Sequence, residues 1–158
     1  MEEKEILYKE TISTWNDLCD LHKQLFEITS EEYVLLLSGD VEKVEESIAR
    51  KKDIIEKISK LDSPRENILS KINYSYGLEI NNFFELSEFF SDVEFEKKNN
   101  HLNKFNIVLK NLIKNIQKQN KANQLFINKA ILNLDKIKNA GSSNKNYSLY
   151  NSNGALNK

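Results

Sequence analysis

His22, His101 and Cys19 are the side chains of this chain best suited to metal or nucleophilic chemistry, and their spacing gives them no partners. Neither histidine has a glutamate three residues before it, the pattern by which helical bundles hold paired iron. Cys19 has no second cysteine, so no internal disulfide or CxxC redox pair can form. No HExxH, GxSxG or glycine-rich phosphate loop occurs. His22 falls on an apolar seam, where a packed, hydrogen-bonded role is expected of it. Cys19 is expected to be a small buried hydrophobe. The chain therefore reads as a binding module, not an enzyme, with no metal or other cofactor.

The residues out of place are amides. In "QKQNKANQ" (117–124), Gln119 and Asn123 occupy positions of a heptad seam, with Asn120 beside them. The seam runs Leu102, Phe105, Leu109, Leu112, Ile116, Gln119, Asn123, Phe126, Ala130, Asn133, Ile137. A polar layer of this kind can fix register at some cost in stability. It can instead loosen a helix from its own bundle and leave the residues beyond it open to a partner. Both readings stand at this point.

The elements that position these groups are helices. Glycine (4) and proline (1) are scarce in 158 residues, and the apolar residues recur at 3–4 spacing. The predicted fold is all-α: an elongated antiparallel helical bundle or coiled-coil hairpin with a long C-terminal helix and a disordered tail. Residues 1–140 are expected to form one domain and 141–158 a flexible Asn/Ser/Gly-rich tail. A first helix is predicted over 3–38, with Gly39-Asp40 turning it into a second over 41–60. A connection that short predicts an αα-hairpin, the alternative being one kinked helix. The second seam is read as Val41, Val44, Ile48, Lys51, Ile55, Ile58. "DSPRE" (62–66) reads as a capping box with Ser63 as the cap, Pro64 first in the helix and Glu66 three residues on from Ser63. The third helix is expected to run to about residue 74, with Gly77 ending it. The Phe-rich stretch 83–95 is either a short helix plugging the bundle or a partner surface. The last helix is predicted over 92–139.

Charge is segregated. Residues 1–96 carry net −12 and residues 97–158 net +11, the latter with no arginine. A basic helix lying along acidic ones explains this. Nucleic-acid binding is the rival, disfavoured by the lack of arginine forks. No stretch approaches the ~20 apolar residues of a membrane span, and the charged N-terminus has no signal-peptide core. A reduced, cytoplasmic setting is expected.

Two segments resemble the FlgN-type flagellar export chaperones. In the first, Glu31 or Glu32, Leu35-Leu36, the Gly39-Asp40 turn, Lys51 or Lys52, Ile54-Ile55 and Arg65 are similar to the family's hairpin. In the second, the Asn120-x-x-Asn123 pair precedes a leucine-rich stretch, and downstream Tyr150 and Gly154 resemble a tail signature, with Tyr147 competing for the tyrosine's place. Pro64 and the aromatic density of 83–95 depart from the pattern. The resemblance implies a chaperone that binds C-terminal regions of hook–filament junction (hook-associated) proteins and delivers them to the export gate's cytoplasmic domain. The stretch 120–137 has more apolar positions than one seam requires, so cargo contacts are expected there, at Asn120, Asn123, Phe126, Ile127, Ala130, Ile131, Leu134 and Ile137, the alternative being that its apolar residues are bundle core; the resemblance implies gate docking through Tyr150 (or Tyr147) and Gly154. No nucleic-acid or membrane partner is implied, and a homodimer is open. A plain coiled-coil adaptor, or a chaperone of another secreted protein, is the alternative.

Overall fold

Repeated leucine and isoleucine at helical spacing, with only one proline, leave the backbone little choice but helix. The computed structural model describes residues 2–141, and every regular element among them is helical. Helix α1 is Glu2–Ser38, α2 Val41–Lys60, α3 Asp62–Tyr76, α4 Phe83–Phe89, α5 Ser91–Glu96 and α6 His101–Gly141. The all-α bundle with a long C-terminal helix is as predicted; the tail lies outside the described residues. The contacts divide into two compact units. The first comprises residues 1–24 and 53–113, the second 25–52 and 114 onward, so α1, α2 and α6 contribute to both.

The core of the first unit is Leu7 and Tyr8 of α1, Ile68 and Ile72 of α3, Ile80, Leu86, Phe90, Val93 and Leu102. Leu86, Phe90 and Val93 come from the Phe-rich segment, which is therefore chiefly core. Two of its rings, Phe84 (69% exposed) and Phe95 (84%), point outward. Threonines on α1's inner face are buried without penalty because each bonds back one turn: Thr11 Oγ1 donates to the Leu7 carbonyl at 2.7 Å, and Thr14 to Glu10 at 3.0 Å. His22 is satisfied likewise, Nδ1 donating to the Leu18 carbonyl at 2.7 Å. Cys19 is buried with its thiol 3.4 Å from the Phe105 carbonyl. Burial, then the charge of Asp20, pushes the thiol's pKa up and keeps it unreactive.

Three local expectations need correction. Ser63 does not cap α3: the helix begins at Asp62, with Leu61 as a one-residue break and no side-chain cap bond. The reason is Pro64, whose ring clashes with the carbonyl four residues earlier and so interrupts the ladder near Lys60–Leu61. Ser63 and Pro64 then sit inside the first turn, where the missing N–H costs nothing. Gly77 does end this helix, at φ +62, and α3 reaches Tyr76. The capping pair that does form is Asn82 with Glu85. Asn82 Oδ1 accepts from the Glu85 N–H at 2.9 Å, and the Glu85 carboxylate accepts from Asn81 N–H at 3.0 Å. Finally, α6 begins at His101, not residue 92. Lys98 takes a left-handed φ of +52, and Asn99 N–H donates to the Glu94 carbonyl at 3.1 Å, separating α5 from α6.

Glu94 explains how that break is held. Its buried carboxylate accepts from the Tyr8 hydroxyl at 2.9 Å and from the Leu102 N–H, one of α6's otherwise unpaired donors, at 3.3 Å. Burial first, then the hydrogen bond and charge of Glu94, push the Tyr8 phenol far above its ordinary 10.0. The folded state thus holds this proton more tightly than the unfolded chain does. The associated stability is complete below pH 10 and declines as pH rises beyond it. Denaturant titrations from pH 9 to 11.5 should show that decline. Tyr8→Phe should flatten it and cost about 1–2 kcal/mol at neutral pH, because Glu94 loses a donor.

Candidate interaction site

The second unit is built around the α1–α2 hairpin. Gly39 takes φ +73, a conformation that costs glycine nothing. Asp40 Oδ1 accepts from the Lys43 N–H at 3.2 Å and starts α2. Antiparallel pairing follows from which residues meet across the turn. Glu31 pairs with Arg50 at 3.2 Å and Glu32 with Lys51 at 3.6 Å. The hairpin alternative is thus the one realised. Helix α6 packs with it: Tyr33 meets Phe126 edge-on at 6.2 Å, and Val44 and Ile48 share a cluster with Ile127. One correction concerns α2's inner face, which continues from Lys51 to Ile54 (6% exposed), not to Ile55 (48%).

The amides of α6 are bonded into this hairpin. Asn123 is 2% exposed, and its Nδ2 donates to the Thr29 carbonyl at 3.1 Å and to Glu32 Oε1 at 3.0 Å. Its Oδ1 accepts from Gln119 Nε2 at 3.1 Å. Asn120 Oδ1 accepts from Lys51 Nζ at 2.7 Å. Glu32, Lys51 and three amides thus form one polar layer spanning α1, α2 and α6. Burial pulls the Lys51 ammonium's pKa down, while Glu32 opposes that shift. A carboxylate at zero exposure is tolerable only because Lys51 and Asn123 both reach it. The layer grips α6 instead of loosening it, and it fixes the helix in register against the hairpin.

Register matters because of what lies next along the helices. Beyond Asn123, toward the C-terminal end of α6, an open groove of about 360 Å³ lies between α6 and the hairpin turn. Phe126, Ile127, Ala130, Ile131 and Leu134 form one wall, and Leu36, Val41, Val44 and Ile48 the other, with Gly39 and Glu45 at the edge. Five of the eight predicted cargo positions are thereby brought together. Asn120 and Asn123 belong instead to the polar layer, and Ile137, though 68% exposed, does not line the groove. Tyr147, Tyr150 and Gly154 lie outside the described residues. The hairpin wall was missed as a site. Its 3–4 spacing is plain in the sequence, but it sits some eighty residues from its counterpart, and periodicity carries no information about that pairing.

Among the described residues no group of three or more His, Cys, Asp or Glu could hold a metal ion, and no helix is long and apolar enough to cross a membrane. The molecule is an all-α helical bundle, and the groove in its second unit is lined almost entirely by apolar side chains, a surface suited to packing against an apolar partner. The family model described as FlgN protein matches residues 1–158, and the chain belongs to the FlgN family. This is a family of flagellar export chaperones, which bind flagellar hook-associated proteins. Comparison with curated proteins and with solved structures gives no match.

Proposed function

We propose that this chain is a cytoplasmic export chaperone that holds the C-terminal region of a hook–filament junction protein in the groove between α6 and the α1–α2 turn. The observation that carries the reading is the coincidence of Phe126, Ile127, Ala130, Ile131 and Leu134 with one wall of an open apolar groove. An assembly-competent helical terminus exposes an apolar stripe that would aggregate or polymerise early if left uncovered. A groove walled by two helices can cover such a stripe by helix-in-groove packing. Delivery requires release, and a groove of this size holds only a few anchor side chains, which keeps the affinity modest. Tyr150, with Tyr147 as the alternative, and Gly154 then serve as the docking element for the export gate's cytoplasmic domain.

The test is titration of the full chain with a junction protein and with the same protein lacking its C-terminal region. The expected result is binding that depends on that region. Equal binding of the truncated cargo would refute the proposal. Removing everything after Lys118 from the chaperone is a poor alternative, because it deletes Asn120 and Asn123 and leaves Glu32 and Lys51 without those partners.

A further inference from the structure

We propose that the first unit carries a second docking site, a pocket that takes a segment of a partner protein bearing one large apolar side chain next to a lysine or arginine. The pocket has a volume of about 500 Å³, room for a few side chains. Its apolar lining is Trp15 of α1, Leu69 of α3, Phe83 and Leu86 of α4 and Leu109 of α6. Trp15, Leu69 and Phe83 pack against the unit's core and yet remain partly exposed to the pocket. The Trp15 and Phe83 rings stand 5.9 Å apart. Four helices therefore hold this surface in shape before anything binds, and a phenylalanine-sized side chain entering it leaves water for an aromatic and aliphatic environment.

The polar lining points to a peptide. Asn106 and Glu66 line the pocket and make no hydrogen bond or ion pair among the described residues. Arg65 donates through Nη2 to Asp62, while its Nε is buried without a hydrogen-bond partner. An orphaned donor is costly, and a backbone carbonyl brought into the pocket supplies its acceptor. The Asn106 amide can serve both the N–H and the C=O of an extended backbone. Charge selects the neighbour of the apolar anchor. Among the described residues no lysine lines the pocket, Arg65 is neutralised by Asp62, and Glu66 is left uncompensated. The unit agrees as a whole, residues 1–24 and 53–113 holding 16 Asp and Glu against 11 Lys and Arg. A basic side chain beside the anchor is attracted and an acidic one repelled. The groove of the proposed chaperone function belongs to the other unit, so this site does not rest on that reading.

Trp15 is the chain's one tryptophan, so its fluorescence reports on the pocket directly. The full chain is titrated with the probe peptide acetyl-Gly-Phe-Lys-Gly-amide, and with versions in which alanine replaces the phenylalanine or glutamate replaces the lysine. A saturable change in Trp15 emission is expected. Binding should be about tenfold weaker without the phenylalanine, and about threefold weaker with glutamate in place of lysine. Glu66 is exposed, so Glu66→Gln leaves the fold intact. It should bring the lysine and glutamate peptides to within about twofold of each other. No saturable change at millimolar peptide would overturn the proposal. So would equal binding of the alanine peptide, or a charge preference untouched by Glu66→Gln. Phenethylamine binding as tightly as the peptide would also overturn it, since the occupant would then be a small aromatic amine. Dimerisation of the free chain that Glu66→Lys abolishes would do the same, the occupant being a second copy.

Discussion

Replacing Ala130 and Leu134 together by aspartate will weaken binding of a junction-protein C-terminal fragment by about thirtyfold or more, and will leave the protein folded. Both residues line the groove and both are exposed, Leu134 at 46%, so the substitutions remove little internal packing. Two carboxylates placed where an apolar stripe must sit would lose their hydration without gaining partners. The few hot-spot positions near the centre of an interface account for about 2 kcal/mol or more each, and about 1.4 kcal/mol is a factor of ten. Calorimetric titration reads the affinity, and thermal unfolding reads the fold, with a shift of only a few degrees expected. Phe84→Asp and Phe95→Asp supply the control. These rings are more exposed than the groove's Val41 and Leu134, but they belong to the first unit, and they should change the affinity by less than about twofold.

Lys51→Met will destabilise the second unit by about 3–5 kcal/mol, the cost expected when one partner of a buried ion pair is removed and the other stays charged. Glu32 has zero exposure, and Lys51 both neutralises it and donates to Asn120. Adding Glu32→Leu should recover most of the loss, because the fault in the single variant is the stranded carboxylate and not the missing attraction. Urea titrations of the two variants and the parent give the comparison. If the single and double variants were equally destabilised, Glu32 would not be the seat of the cost. The double variant is informative in a second way. With Glu32 and Lys51 both gone, the amides of α6 keep only Asn123's bond to the Thr29 carbonyl across to the hairpin, so its register is less well defined and groove affinity should fall even where stability returns.

The hairpin and long helices were legible because local signals agree there. Heptad spacing, the Gly39-Asp40 turn and Gly77 each act within a few residues, and their positions in the structure match. Signals that compete were misread. Ser63 has the chemistry of a cap, but Pro64 shifts the break upstream to Leu61. Asn82-x-x-Glu85 carries an equally plain capping pattern, hidden within a stretch read for its aromatics. The start of α6 depended on Lys98 adopting a left-handed conformation, which nothing in a lysine announces, although the run Lys97-Lys98-Asn99-Asn100 marks a polar interruption. Ile54 and Ile55 are adjacent isoleucines, and the crossing geometry of the partner helices, not either residue, decides which faces inward. At the groove, one wall was readable as surplus apolar positions after Asn123. The other wall is a long-range pairing, set by Lys51 and Glu32 meeting the amides of α6. Of the two readings the amides allowed, a register-fixing layer and a boundary at which the helix loosens, the first is the one realised: they clamp α6 and align the groove beyond them.

Hydrogen exchange with and without a bound junction-protein C-terminal fragment tests the central claim most directly, because it reports protection along the whole chain at once. Cargo in the groove predicts added protection over residues 41–48 and 126–134, with α4 and α5 unchanged. Protection confined to residues 83–95, leaving the groove segments as they are in the free protein, would contradict it.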